Sequence, residues 1–426
     1  MKLTTKILVG MGLGMGVGLI LNWMGDSAPV LATKIFLVDG VFDSVGRIFV
    51  SALKLLIVPV VFFSLTCGAA AMGVDIRMGK MAVHTLLLYL FTTAVAITIA
   101  LVVANLINPG AGFDLGNMGT FEPKDVPSIK ETLINIVPTN PIEAMVSGNM
   151  LQLIVFCILL GISVSLAGDA GKKALQVLQS FNDVILKMVT LIMHLAPYGV
   201  FCLLAKIFAG LGADAFSGLV GYFSCVVLAL AIHCFGIYPG LLQVFARLNP
   251  ITFFKNVRPA MLFAFSTSSS AATMPVTMNV AEKRLGVDNK VASLTVPVGA
   301  TINMDGTAIM QGVATVFIAQ AFGADLDINS YLMIILTATL ASVGTAAVPS
   351  VGLVMLTMVL HQVGLPAEGI GLIIGVDRLL DMMRTAVNVT GDCAVTSIVA
   401  KHNNMLDEVV FNEVSDRDEY EAEQKG

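Results

Sequence analysis

The chain has 426 residues, 56% of them hydrophobic and only 12% charged, about half the ~25% charge of an ordinary soluble domain. That balance excludes a large soluble enzyme, and a formal net charge of −5 offers no basic surface to nucleic acid. The acidity is local: residues 407–426 hold eight Asp/Glu against two Lys/Arg, a net of −6 that leaves +1 for the rest, and read as a solvated tail.

Taken in order, the apolar runs read as membrane helices. Residues 1–23 have two lysines and then an apolar run to Trp23 without a small-x-small cleavage site, which predicts an uncleaved first membrane helix. Further segments follow at about 41–71 (interrupted by Pro59), 81–107, 142–167, 181–211 and 219–244, several near the ~20 residues that cross a ~30 Å hydrocarbon core. A polar stretch rich in Pro, Gly, Asp and Lys fills 108–141. Lys2, Lys6, Arg77, Lys80, Lys172, Lys173, Arg247, Lys255 and Arg258 fall in alternate connections, which predicts both termini on the cytoplasmic side of the plasma membrane. Lys124 and Lys130 weaken that contrast in the long loop. The six cysteines are scattered in apolar stretches without metal spacing, and the five histidines are isolated, so no histidine or cysteine metal cluster is predicted.

The second half changes character. PAMLFAFSTSSSAATMPVTMNV (259–280) and YLMIILTATLASVGTAAVPSVGLVMLTMVL (331–360) each set two short apolar pieces around a tip of small and hydroxyl residues. Each piece is too short to span a bilayer, and the pairs predict re-entrant helical hairpins whose unwound tips protein or water must satisfy. Each precedes an apolar helix with a polar interruption: VPVGATINMDGTAIMQG (296–312) and DRLLDMMRTAVNVTGD (377–392). The loop charges bring the first hairpin in from the cytoplasm and the second from outside, so the two hairpin–helix units are inverted repeats, the layout of a transporter with its site at the midplane.

The last stretch carries Asp377, Arg378, Asp381, Arg384 and Asp392. On a helix at ~100° per residue, Asp377, Asp381, Arg384, Thr385, Asn388 and Asp392 share an arc of about 100°, with Arg378 just beyond its edge. Such a face turns to protein or a water-filled cavity, because an ionisable group at bilayer depth costs at least ~2.5–3.5 kcal/mol. Arg378 joins that site, pairs with a neighbouring carboxylate, or meets a lipid phosphate. The oxygens of Asn388, Thr390, Asn303, Asp305 and Thr307 suit a desolvated Na⁺, and an arginine fork suits a carboxylate. A salt-bridge network that only joins helices explains the charges but not the accompanying Asn, Thr and Gly.

AFSTSSSAATMPVTMNVA, PVGATINMDGTAIMQG, ASVGTAAVP and GVDRLLDMMRTAVNVTGD together resemble the dicarboxylate/amino acid:cation symporters, the glutamate transporter family. The match runs in order over nearly the whole chain and is densest from 260 to 401. It implies an all-α polytopic membrane protein of eight transmembrane helices and two re-entrant hairpins, working as an elevator in a homotrimer. The implied division is scaffold helices 1–2 (1–80) and 4–5 (142–218), and a transport domain of helix 3 with its following loop (81–141) and helix 6 (219–250). To the latter belong hairpin 1 (251–286), helix 7 (287–326), hairpin 2 (327–365) and helix 8 (366–404), before an acidic cytoplasmic tail (405–426). By resemblance the substrate's side-chain carboxylate meets Arg384 and Thr307, and its amino group meets Asp381. Its main-chain carboxylate meets Asn388, Ser270 and the rest of the first tip, Ser268 and Ser269. Thr385 and the second tip, Ala347 and Val348, complete the pocket. Three Na⁺ are implied: one at Gly299, Asn303, Asn388 and Asp392; one at Thr301, Ser342, Val343 and Thr345; one at Tyr89, Thr92, Thr93, Asn303 and Asp305.

The chain departs from the family in three places. Archaeal relatives have an arginine where Ser268 stands, and animal relatives have one where Met382 stands. Arg378, one turn earlier than Met382, is the candidate substitute. Gln311 occupies the place of a glutamate in proton- and K⁺-coupled animal members, which favours Na⁺ coupling without K⁺ counter-transport. The expected activity is Na⁺-coupled import of aspartate or glutamate. A C4-dicarboxylate lacks the ammonium that Asp381 would bind, a neutral amino acid leaves Arg384 unpaired at a cost, and an H⁺-coupled variant of the family is a further alternative. An ion channel would need a continuous pore-lining repeat, and a membrane hydrolase an activated nucleophile, of which no Ser/His pair is evident.

Overall fold

The computed structural model describes residues 3–24, 31–32, 34–71, 79–111, 134–135, 137–147, 149–212, 214–344 and 351–413. Among them the chain is helical, with a lone bridge between Val287 and Leu406. The helices are α1 (Leu3–Trp23), α2 (Asp43–Ala71, entered through a π-helical stretch Ile35–Phe42), α3 (Gly79–Ile107), α4 (Pro141–Ser147), α5 (Met150–Leu166), α6 (Gly168–Met193) and α7 (Ala196–Leu211). Next is α8 (Asp214–Ile232), which continues through π-helical turns His233–Ile237 and Leu242–Ala246 around a short α turn, Tyr238–Leu241. Then come α9 (Pro250–Thr267), α10 (Ser270–Lys283), α11 (Asn289–Ile302), α12 (Asp305–Ala321), α13 (Ile328–Gly344), α14 (Val351–Gln362), α15 (Ile370–His402) and α16 (Glu408–Asn412).

Among the described residues five helical stretches are long and apolar enough to cross a membrane: Thr5–Trp23, Ile35–Ala70, Val83–Ile107, Gly168–Met193 and Gly218–Ala246. The remaining expected crossings are shorter, split or charged. The segment predicted at 181–211 is one correction: α6 ends at Met193 and α7 starts at Ala196. Pro197 is the cause, since it lacks an N–H and its ring collides with the carbonyl of Met193 in a continuous helix. At its other end α6 starts at Gly168, so Lys172 and Lys173 lie within it rather than in a connection.

The two stretches read as hairpins are pairs of packed helices, α9 on α10 and α13 on α14. At the first tip Ser268 takes a left-handed φ of 52°, and Ser269 caps α10 by accepting from Ala272 N (3.2 Å). The second tip, with Thr345, Ala347 and Val348, lies outside the described residues. The expected seventh crossing is two helices, α11 and α12, interrupted at Asn303 and Met304.

α1 packs on α7, and α2 on α5, α6 and α7. α15, the longest helix, is surrounded by α8, α9, α11 and α12, while α3 packs on α8, α12 and α13. α2 also meets α13 and α14, and α7 meets α15. Two ion pairs join these helices: Lys206 Nζ of α7 with Asp43 Oδ1 of α2 (2.6 Å), and Lys54 Nζ of α2 with Glu368 Oε1 ahead of α15 (3.0 Å). Both members of the second are exposed, where such pairs contribute only ~0–1 kcal/mol.

Candidate functional site

The break between α11 and α12 creates the centre of the site. Interrupting a helix frees carbonyls on one side and N–H groups on the other, and buried ones need partners. Neighbouring helices supply them here. Ser342 of α13 bridges the gap, donating to Ile302 O (2.7 Å) and accepting from Met304 N (3.1 Å). Asn388 of α15 accepts from Gly306 N at its Oδ1 (2.7 Å). A Cβ on Gly306 would sit 2.6 Å from the Arg384 carbonyl, so only glycine lets α12 start this close to α15.

Around the break stand the expected cation residues. Asn303 Nδ2 donates to Asp392 Oδ1 (2.9 Å) and to the Asn388 carbonyl (3.2 Å). Its Oδ1 is buried and has no donor among the described residues. A buried amide oxygen without a donor beside a buried carboxylate suits a cation, which supplies what no donor does. Gly299 leaves room there: a Cβ would lie 2.5 Å from Asp392 Oδ1 and 2.6 Å from the Tyr89 hydroxyl. On the opposite side of the break Asp305 accepts from Thr93 at Oδ1 (2.6 Å) and from Tyr238 at Oδ2 (2.8 Å), with His233 Nε2 3.0 Å from Oδ2. Tyr89 donates to Thr295 O (3.1 Å), and Thr92 to Tyr89 O (3.0 Å). These oxygens form two buried carboxylate-centred groups that fit Na⁺ as a co-substrate.

Thr301 differs. Its hydroxyl bonds to Pro297 O (3.2 Å) and Val298 O (3.0 Å) in its own helix and is half-buried. Val343, next to Ser342 on α13, is buried, and Thr345 lies outside the described residues.

One turn earlier on α15 the stripe is self-paired. Arg384, 1% exposed, places Nη2 2.8 Å from Asp381 Oδ1 and Nη1 2.8 Å from Asp377 Oδ1. The Asp377 contact is an ion pair without hydrogen-bond alignment, and Nε has no partner among the described residues, so two of the guanidinium nitrogens retain donor capacity. Arg378 Nη1 is 3.4 Å from Asp381 Oδ2. Thr385 donates to the Asp381 carbonyl (2.7 Å). Thr307 is buried against α14, where a Cβ on Gly352 would meet Thr307 Cγ2 at 2.9 Å and Arg384 Nη1 at 3.9 Å. Ser268, Ser269 and Ser270 are buried at the first tip, and the Ser268 hydroxyl has no partner among the described residues. Gln311 is buried in α12, with neither amide atom hydrogen-bonded among the described residues.

Asp377, His233 and Tyr238 were not among the expected site residues. Asp377 was visible as the first member of the polar arc. His233 and Tyr238 had only a faint signal, two polar rings in an apolar segment, because a spacing of five residues separates them on an α-helix.

A bundle of apolar helices around a charged helix and a broken helix defines a multi-pass membrane transporter. The chain belongs to the sodium:dicarboxylate symporter family, whose model matches residues 3–402. It is 33% identical to the proton/sodium-glutamate symport protein of Bacillus subtilis over 95% of this chain and 93% of the relative. It is 33% identical to the proton/glutamate-aspartate symporter of Escherichia coli over 95% and 94%. It is also 35% identical to human excitatory amino acid transporter 3 over 84% of this chain and 78% of the relative. The family is one of transporters, not enzymes, and couples to sodium.

Proposed function

We propose that the protein is a secondary active symporter that imports aspartate or glutamate on a Na⁺ gradient. The observation that carries this is the buried Arg384 held between Asp377 and Asp381. The side-chain carboxylate of an acidic amino acid takes the place of Asp381 at Arg384, and Asp381 is released to the substrate ammonium. Ion pairs are exchanged rather than lost, which is what a buried charge requires. A dicarboxylate without an ammonium would leave Asp381 half-compensated, and a neutral amino acid would leave Arg384 so.

Charge supports the number of ions. Asp305, Asp377, Asp381 and Asp392 oppose Arg378 and Arg384, leaving −2. An acidic amino acid brings −1 more, so three Na⁺ per protomer make the loaded core neutral, as crossing hydrocarbon favours. Asn303 and Asp392 with Gly299 and Asn388, and Asp305 with Thr93, Tyr89, Thr92 and Asn303, hold two of these ions. The third belongs under the second hairpin, by Ser342, Val343, Thr301 and Thr345. Ser268–Ser270, Thr307, Thr385, Asn388 and the tip Ala347–Val348 surround the amino acid.

The mechanism we assign is an elevator. Helices α1, α2 and α5–α7 pack together as a scaffold, and α3 and α8–α15 pack around the charged helix as the moving body, with the two hairpins as gates. A homotrimer in the plasma membrane with cytoplasmic termini completes the reading. Purified protein in liposomes tests it. Radiolabelled aspartate should accumulate only with an inward Na⁺ gradient, and accumulation that ignores Na⁺ overturns the reading. Accumulation on a proton gradient in Na⁺-free medium would assign proton coupling instead.

A further inference from the structure

From Gly218 to Ala246 the chain contains no Asp, Glu, Lys or Arg, yet this stretch of α8 and its extension delivers two polar rings to one carboxylate oxygen. His233 and Tyr238 are fully buried, and both reach Asp305 Oδ2, at 3.0 and 2.8 Å. Their rings meet edge to face with centroids 4.6 Å apart.

A regular α-helix forbids this. Five residues at ~100° each place side chains about 140° apart, on different faces. The π-helical turn His233–Ile237 removes the obstacle, because the Tyr238 N–H donates to the His233 carbonyl, an i→i+5 bond that stacks the two residues. The sequence HCFGIYPG encodes the turn. Pro239 cannot donate to Phe235 O and its ring would strike that carbonyl, so the backbone widens one residue earlier. A widened turn costs helical regularity. Here it gains two donors on a single carboxylate.

We infer that this π turn is a positioning element for cation coupling: His233, as its Nε2–H tautomer, and Tyr238 fix the direction of the Asp305 carboxylate for Na⁺. The inference rests on the reading of Asp305 as a Na⁺ ligand. Thr93 holds the other oxygen, its single hydroxyl proton lying between Asp305 Oδ1 (2.6 Å) and Tyr89 O (2.9 Å). Asp305 is therefore gripped by two helices beside the one that carries it, and neither His233 nor Tyr238 need touch the ion. Donors on a carboxylate restrict its rotamer, and preorganised ligands bind more tightly than mobile ones.

The test is Na⁺-dependent thermal stabilisation of the purified full-length protein without any amino acid, with choline holding ionic strength constant. Tyr238→Phe and His233→Ala should each raise the Na⁺ concentration for half-maximal stabilisation about tenfold, the loss of one hydrogen bond to a charged group. His233→Gln, which can still donate, should recover most of that loss, and Cys234→Ala, on the same turn but away from Asp305, should match the wild type. Asp305→Asn separates the two readings. If it leaves Na⁺ dependence unchanged, Asp305 is not a ligand and the inference falls with that reading. If it weakens or abolishes the response while Tyr238→Phe and His233→Ala stay within twofold of wild type, the cation reading stands and the positioning role is overturned. A lower melting point with the same Na⁺ dependence also overturns it, as that is what mere packing predicts. Should His233→Ala fail to fold, Tyr238→Phe, which removes one oxygen, decides.

Discussion

Asp377→Asn probes the self-paired arginine directly. The substitution keeps size and a hydrogen-bond acceptor but removes the charge 2.8 Å from Arg384 Nη1, with both side chains buried. At an effective dielectric of ~20, unit charges ~4 Å apart interact by about 4 kcal/mol. Measured losses on breaking one side of a buried pair are similar, ~3–5 kcal/mol. Without Asp377, the cluster of Asp381, Arg378 and Arg384 changes from neutral to +1. The ligand-free protein should therefore unfold several degrees below wild type. An acidic amino acid, net −1, restores neutrality in the variant but makes the same wild-type cluster −1. Saturating aspartate with Na⁺ should thus raise the unfolding temperature of Asp377→Asn by more than it raises that of the wild type. Differential scanning fluorimetry in detergent, with and without ligand, measures both. A ligand-free midpoint equal to wild type, or a smaller ligand-induced rise in the variant, refutes the idea that Asp377 compensates Arg384 until substrate does.

Arg384→Ala should lower aspartate uptake at least a hundredfold, the loss expected when a charged anchor costing ~3–5 kcal/mol is removed, while neutral amino acids lose far less; equal losses for both would contradict the carboxylate role. Gly299→Ala puts a methyl group 2.5 Å from Asp392 Oδ1 and 2.6 Å from the Tyr89 hydroxyl; overpacking of ~1–3 kcal/mol should raise the half-saturating Na⁺ concentration in uptake, and an unchanged value would move the ion elsewhere. Arg378→Ala should weaken aspartate binding, with Arg378→Lys recovering part of it, as read by competition binding. At the start of α13, donation from the Ser330 hydroxyl and N–H (both 2.7 Å) holds the exposed Asp327 carboxyl below its ordinary pKa. The cap is then fully present above the ordinary carboxylate range and lost as pH falls through the lowered value. Exchange of the first-turn amides of α13, corrected for intrinsic rates, should speed up on acidification, and Asp327→Asn should blunt that response.

Local chemistry explains what the sequence disclosed. The arc of Asp377, Asp381, Arg384, Asn388 and Asp392 follows from helical geometry alone, and all five are buried. The interruption at NMDGT was also visible, as two helical runs around residues that serve poorly in a helix interior. Less visible was what fills the interruption. Ser342 lies 40 residues from Ile302, and Asn388 lies 82 from Gly306. Those pairings depend on packing, which one sequence does not encode position by position. The split at Pro197 was legible but outweighed by the apolar run around it. His233 and Tyr238 were hidden for a different reason. Their partnership needs a local change of helical pitch, and any reading at fixed ~100° steps places them on separate faces.

The charges in this chain sort by whether the fold compensates them. Arg384, Arg378, Asp377 and Asp381 form a neutral quartet within two turns of one helix, so their burial needs nothing from outside. Asp305 and Asp392 have donors but no basic Lys or Arg partner among the described residues' ion pairs. Isolated buried carboxylates are costly, and the fold places both at the broken helix, beside the unpartnered Asn303 oxygen. In the proposed reading the quartet exchanges an internal carboxylate for an external one. In the same reading the two aspartates create the demand for cations. Asn388, one turn beyond Arg384 on α15, is bonded to the broken helix through its amide oxygen at Gly306 and its carbonyl at Asn303, so in the proposed reading amino acid and ions share one structural joint. A substitution there, such as Asn388→Ala, should weaken amino acid and Na⁺ binding together, whereas Gly299→Ala should act first on Na⁺.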